Sequence, residues 1–348
     1  MIRIAHALRD ENAAGAFRST EALLFGMDRE RFSLLLLIPE ECRAPVLSGA
    51  SVLPLSSRLC EDPLALAALL RRLDLHVLHT HGWARMRLAG RIAGGMALVS
   101  TKHCNLSFPA RPRLYRAITD LTVATSPQVF DRMREAGIPE GELLLLENEP
   151  LPPAPISPAA RDALRRKWGI GDRFAVGLCA RLHPVKGHET LLGAAAALDR
   201  GFCFVLLGEG TLRPHLSRLA HRLGIADRVL FLGEARDPSP FYGAVDAHVS
   251  CSLESETSSL SLREGLAAGL PTAATDLPPN RPLPLSLFPV GDSEALASIL
   301  LRFRKEGRRP PPHLPAGTFS RRMEEGYLSL VSHLPKRVGR FPSVKPFP

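Results

Sequence analysis

Residues 252–271 read SLESETSSLSLREGLAAGLP. Two carboxylates, Glu256 and Glu264, stand eight positions apart in this stretch. Between them, Thr257-Ser258-Ser259 is a turn of small hydroxyl residues, and an Ala- and Gly-rich helix then runs to Gly269-Leu270-Pro271. A helix capped by Ser259 or Ser261 leaves backbone N–H groups facing outward as a ready anion site. Glu256 then lies in the loop before the turn, and Glu264 on the first turn of the helix. A ligand with a phosphate flanked by hydroxyl groups would satisfy all three features. Ser261-x-x-Glu264 also fits a capping box, in which the glutamate only satisfies the helix end. Spacing alone leaves both readings open.

Strand and helix signals alternate on either side of this segment. Upstream, residues 174–178, 202–207, 229–232 and 247–250 read as strands, with helices at 187–198, 212–223 and 238–245 between them. Downstream, residues 270–275 are one more strand and 292–304 another helix. The first half has the same rhythm: strands at 1–8, 32–39, 75–79, 97–103, 121–126 and 143–146, and helices at 18–26, 62–73, 87–93 and 127–136. A turn at Ala13-Ala14-Gly15 follows the first strand. The run FSLLLLIP at 32–39 is apolar but for Ser33, as a strand covered on both faces should be. Such alternation predicts α/β architecture with parallel, helix-covered sheets.

Asn148-Glu149-Pro150-Leu151-Pro152-Pro153-Ala154-Pro155 holds neither helix nor central strand and reads as a linker between two similar halves. The boundaries expected from this are 1–152 and 153–315, then a last helix at 316–334 and a basic, Pro-rich tail at 335–348. Two such halves imply a cleft, with ligands at the carboxyl ends of the strands.

The 348 residues suit two domains, and 45% apolar content fits an ordinary α/β chain. A net charge of +9 favours polyanions, anionic lipid or phosphorylated substrates without choosing among them. The six cysteines are scattered without CxxC pairing, which argues against a disulfide framework and a zinc site. MIRIAHALRDENAAG lacks the layout of a signal peptide, and no run reaches the roughly 20 apolar residues that span a bilayer. A cytoplasmic protein is expected, one that could sit peripherally on the inner face of the cell membrane.

A second segment, Gly177-Leu178-Cys179-Ala180-Arg181-Leu182-His183-Pro184-Val185-Lys186-Gly187, puts two cations on one loop after a strand. At the carboxyl end of a parallel strand they can hold a diphosphate and stabilise it as a leaving group without a metal. The order G-x-x-x-R-L-x-x-x-K-G, F-V-L-L-G-E-G-x-L-R-P-x-L, R-V-L-F-L-G, then E-x7-E with E-G-L-A-A-G-L-P resembles the retaining glycosyltransferases of family 4, which have the GT-B fold. The likeness covers roughly residues 172–276. The first half matches more loosely, through Gly15, Asp74-Leu75-His76-Val77-Leu78-His79-Thr80-His81 and Ser100-Thr101-Lys102-His103.

The resemblance implies two Rossmann-like domains facing across a cleft, with a C-terminal helix crossing back to the first. It implies a hexose or N-acetylhexosamine moved from a UDP- or GDP-sugar to a hydroxyl of a cell-surface glycan or glycolipid. It gives Arg181 and Lys186 the donor diphosphate, Glu264 the ribose hydroxyls and Glu256 the transferred sugar. Ser258, Ser259 and Gly208 join the donor site, Gly15 allows close approach of backbone to the phosphates, and His103 lies near the reacting centre. No cofactor, metal or nucleic-acid partner is implied. His79-x-His81 has metal-like spacing, but the sequence offers no third ligand nearby.

The chain departs from the family at Thr257, Ser258 and Ser259, where glycines usually follow the first glutamate. It departs also at Pro278-Pro279-Asn280-Arg281 and at Ala14. A GT-B sugar-nucleotide epimerase and a non-catalytic GT-B scaffold or binding protein are the competing expectations.

Overall fold

The computed structural model describes residues 1–9, 14–42, 50–103, 111–151, 153–254, 259–307 and 318–333. The chain forms two units, Met1–Glu149 with Pro315–Pro348, and Pro150–Leu314. The first unit begins β1 (Ile2–Leu8), α1 (Ala14–Phe25), β2 (Phe32–Pro39), β3 (Ser51–Leu55), α2 (Ser57–Glu61) and α3 (Pro63–Leu73). It continues with β4 (Val77–His81), α4 (Ala84–Ala93), β5 (Ala97–Lys102), α5 (Pro112–Ala117), β6 (Leu121–Ala124), α6 (Pro127–Glu135) and β7 (Leu143–Leu145).

The second unit holds α7 (Pro158–Lys167), β8 (Phe174–Cys179), α8 (His188–Ala196), β9 (Phe202–Leu207), α9 (Arg213–Arg222) and β10 (Val229–Gly233). After these come α10 (Ser239–Ala244), β11 (Ala247–Ser250), α11 (Leu260–Ala267), β12 (Thr272–Thr275), β13 (Ser286–Phe288) and α12 (Ser293–Glu306). The last helix, α13 (Thr318–Ser332), belongs to the first unit, where it packs on α1.

Both sheets are parallel throughout, in the orders β3-β2-β1-β4-β5-β6-β7 and β10-β9-β8-β11-β12-β13. These are two Rossmann-like domains of the GT-B kind. Each sheet is covered on both faces, so alternate residues of one strand enter different cores. Ala5, Ala7 and Leu35 pack with Leu66, Leu70 and Met86, whereas Ile4, Leu34 and Val77 pack with Leu24, Met323 and Tyr327. In the second unit, Val176 and Phe204 face Leu191 and Leu300, while Ala175 and Val205 face Phe241 and Tyr242. Burial of about 2 kcal/mol per large apolar side chain is what closes these layers.

Helix starts follow their caps. Asp62 accepts from the N–H groups of Leu64 and Ala65, and Ser126 from that of Val129, each ahead of a proline at the first helical position. Ser157-Pro158 starts α7 the same way, just past the linker expected at 148–155, a helix absent from the expected elements. The sequence reading also lacks β3, whose Pro54 is tolerated because β3 is an edge strand, and β13, an edge strand of three residues. The turn expected at Ala13-Ala14-Gly15 is corrected: Ala14 and Gly15 open α1, since small residues fit a first helical turn. Ala13, Pro152 at the expected domain boundary, Glu256, Thr257, Ser258, residues 308–315, both ends of the expected last helix (316–317 and 334) and the tail at 335–348 lie outside the described residues. Among those described, no helix is long and apolar enough to cross a membrane.

Candidate functional site

Ligands of open parallel sheets bind beyond the carboxyl ends of the strands, where the strand order reverses. In the second unit that point lies between β8 and β11. Both motifs singled out from the sequence begin there, Arg181 after β8 and the two-glutamate segment after β11.

Three glycines draw the loops at this end together. Gly187 has φ +60°, and a Cβ there would collide with the Cys251 carbonyl oxygen. The Leu253 N–H donates to the Val185 carbonyl at 2.8 Å, so the Lys186 loop is tied to the chain leaving β11. Gly208 and Gly210, at φ +141° and +156°, lie so close to the Ala180 and Leu182 carbonyls that any side chain would strike them. Leu182 N–H donates to the Glu209 carbonyl at 2.9 Å, and Leu212 N–H to the Leu182 carbonyl at 3.1 Å. The backbone around Arg181 is therefore held on both sides. The Arg181 side chain is exposed and has no polar partner among the described residues; Lys186 is half-buried.

Ser259 occupies the N-cap position of α11, but its hydroxyl makes no capping bond and lies 3.4 Å from that of Ser261. The capping box therefore does not form. Glu264 falls in the second turn of α11 rather than the first, because the helix starts at Leu260. Its carboxylate is 4% exposed and accepts from the Tyr242 hydroxyl at 2.9 Å. Tyr242 also bonds to Cys179 at the end of β8, and burial first, then Cys179 and Glu264, drives its pKa well up, so it remains a donor. Gly265 permits this seat: a Cβ there would sit 2.7 Å from Nδ1 of His248 on β11. Tyr242 lies 22 residues before Glu264, and nothing local in the sequence marks it. His188, the first residue of α8, is buried beside this loop; burial and then Lys186 pull its pKa down to about 4.

Arg181, Lys186, Gly208, Ser259 and Glu264 thus belong to one end of one sheet. A carboxylate held by a phenol can accept from a vicinal diol, and two cations on an exposed loop can meet a diphosphate. Glu256 and Ser258 fall outside the described residues.

The other two candidates are in the first unit. Gly15, in the first turn of α1, has a φ any residue could adopt and open space where a side chain would be. His103 directly follows β5, and its Nε2 is 2.9 Å from Nδ1 of His81. No third ligand is expected near His79 and His81 from the spacing; the structure corrects this. His6 on β1 pairs with His79 on β4, and its Nδ1 is 3.1 Å from His81 Nε2. One nitrogen from each of His6, His79 and His81 lies within 4.8 Å of the other two, close enough for a metal. A 75-residue separation hides this neighbour from any reading of spacing. Burial lowers the pKa of His6 to about 3 and of His103 to about 4, and drives those of His79 and His81 well down.

Residues 173–305 match the family model described as glycosyl transferases group 1, and residues 17–148 that of glycosyltransferase family 4. The GDP-mannose-dependent alpha-(1-6)-phosphatidylinositol monomannoside mannosyltransferase of Mycobacterium tuberculosis is 31% identical over 172 residues, 44% of this chain and 43% of that protein. The lipopolysaccharide core biosynthesis glycosyltransferase LpsE of Rhizobium meliloti is 40% identical over 90 residues, 26% of each chain. These alignments span less than half the length of either relative. Anabaena Alr3699/HepE, solved with UDP and glucose, superposes with a TM-score of 0.73 at 18% identity over 95% of this chain and 98% of its own. A glycosyltransferase from Rickettsia africae superposes with a TM-score of 0.73 at 17% identity, over 96% and 94% of the two chains.

Proposed function

We propose a function from one premise: this chain belongs to glycosyltransferase family 4. It moves a hexose or N-acetylhexosamine from a UDP- or GDP-sugar to a hydroxyl of a cell-envelope glycan or glycolipid, retaining the anomeric configuration. One observation carries this reading. At the strand-order reversal of the second unit, Gly187, Gly208 and Gly210 press the Arg181–Lys186 loop against the chain leaving β9 and β11. Lys186, Arg181 and Glu264 are thereby gathered at one sheet end. The printed names of the relatives, a GDP-mannose-dependent enzyme and a lipopolysaccharide core enzyme, support the donor and acceptor classes.

In this reading Arg181 and Lys186 hold the donor diphosphate, and Glu264, oriented by Tyr242, takes the ribose hydroxyls. Gly208, Ser258 and Ser259 contribute backbone to the same ligand, Gly15 leaves room beside the phosphates, and Glu256 and His103 serve the transferred sugar. The acceptor oxygen attacks the anomeric carbon from the face the diphosphate leaves. The carbon–oxygen bond to the diphosphate breaks, and the acceptor proton passes to a departing phosphate oxygen. The cations stabilise the negative charge that develops there, which is where such groups act most strongly. No metal and no cofactor take part, so a chelator leaves the rate unchanged. Anionic lipid is a further proposed contact, suited to the +9 charge, with the protein at the inner face of the cell membrane.

The test is a thermal-shift screen over UDP- and GDP-sugars, followed by product analysis with glycan and glycolipid acceptors. Stabilisation by one of these nucleotides and an α-linked product from an α-donor are expected. Change of the sugar without an acceptor would make the chain an epimerase, and the absence of any shift would overturn the reading.

A further inference from the structure

The histidines of the first unit form a chain rather than a cluster. Thr101 Oγ1 lies 2.6 Å from His79 Nε2, and His79 Nδ1 lies 2.5 Å from the Tyr327 hydroxyl. That hydroxyl lies 3.2 Å from His6 Nε2; His6 Nδ1 is 3.1 Å from His81 Nε2, and His81 Nδ1 is 2.9 Å from His103 Nε2. The rings stack as the strands demand. His6 and His79 are opposite residues on β1 and β4, and His81 is opposite Thr101, two positions before His103. Centroid spacings along His79, His81 and His103 are 4.6 and 5.2 Å.

A neutral imidazole carries one N–H and one lone pair. In a chain where every ring nitrogen meets the next group, the proton on one ring dictates the proton on the following one. Two opposite arrangements make every link, and Thr101 chooses between them. Its buried hydroxyl has His79 Nε2 as its one partner among the described residues, so it donates there, and the direction set at Thr101 passes through Tyr327 to His103. Every ring nitrogen of His6 and His79 already has a partner, so the chain is satisfied without a metal. From the helices it is met by Tyr327 of α13 and by Thr20 of α1, whose Oγ1 donates to the Ala16 carbonyl and lies 3.3 and 3.4 Å from the two His81 nitrogens, a contact open to either His81 tautomer.

We propose that Tyr327, through His6 and His81, is a positioning residue that holds His103 in a single tautomer and ring orientation. The proposal rests on the role given to His103 above. Tyr327 is fully buried, and its hydroxyl joins the His79 and His6 arms. Removing that hydroxyl cuts the chain while leaving the ring that fills the core. His6 and His81 are then free to reverse their protons, and His103 follows.

The experiment is nitrogen NMR on the full chain labelled with ¹⁵N-histidine, for the native protein, Tyr327→Phe and Thr101→Val. In the native protein His103 should show one protonated and one bare nitrogen, with N–H···N couplings from His6 to His81 and from His81 to His103. In Tyr327→Phe the two His103 nitrogens should move toward averaged shifts, with the circular dichroism of the fold unchanged. Averaged His103 nitrogens in the native protein, or an unchanged His103 in Tyr327→Phe, would overturn the proposal. Should Tyr327→Phe fail to fold, Thr101→Val and the native couplings decide by the same criteria. With a donor and acceptor in hand, kcat should fall roughly tenfold in Tyr327→Phe at constant KM. Averaged tautomers with an unchanged kcat would strike the role given to His103 and leave the chain standing.

Discussion

At the scale of single residues, the reading turns on charge and on the absence of a side chain. Lys186 follows a short turn and precedes Gly187, whose φ of +60° directs the chain into α8 while its missing Cβ admits the Cys251 carbonyl. Lys186→Ala removes one of two cations at the proposed leaving group. Turnover should fall by about 10²–10³, the usual cost of losing one such donor, with the fold's melting temperature kept. Unchanged transfer would remove Lys186 from the site. Gly187→Ala should destabilise the second unit by about 1–3 kcal/mol, since both its backbone angle and the Cys251 contact oppose a methyl group. Denaturant unfolding measures this, and an unchanged midpoint would refute the close approach.

Among secondary-structure elements, the end of the second sheet away from the site is welded by Arg165 of α7. Its guanidinium donates to the carbonyls of Gly171, Arg173 and Ala244 and to the Asp246 carboxylate at 2.9 Å. Asp246 also accepts from Arg161 and from the Ala175 N–H at 2.8 Å, so α7 and the starts of β8 and β11 share one polar junction. Replacing Arg165 by Met leaves these buried acceptors without their donor. A loss of about 3–5 kcal/mol is expected from urea titration. A loss below about 1 kcal/mol would mean water replaces the guanidinium there.

For the molecule as a whole, six histidines kept neutral by burial set the response to acid: His79 and His81, driven well below the ordinary value, and four more. Burial first holds His6 and His248 down to about 3, and His103 and His188 to about 4. Arg29 adds to the effect on His6, and Lys186 to that on His188. Each group is depressed in the folded chain and ordinary in the unfolded one, so the unfolded state binds more protons below about pH 6.5. Stability is full above that pH and is lost as pH falls toward the folded values. The slope is up to about 1.4 kcal/mol per pH unit for each histidine. Unfolding midpoints measured from neutral pH down to about pH 5 should drop before any carboxylate titrates. A flat profile over that range would show the histidines already charged or exposed in the fold.

Much of this was legible in the chain itself. Nearly unbroken apolar runs such as 32–39 and 202–207 fit strands covered on both faces, and the helices expected at 62–73 and 127–136 form within a residue of those bounds. That Arg181, Lys186 and Glu264 share one sheet end was legible because a parallel strand delivers whatever follows it to the same edge. These signals are local, set by backbone geometry over a few residues. Strand order, and with it the contacts of Glu264 with Tyr242 and of His6 with His81, came only from tertiary structure. Those partners lie 22 and 75 residues apart and meet because hydrophobic layers, which carry no register of their own, fold the intervening chain between them.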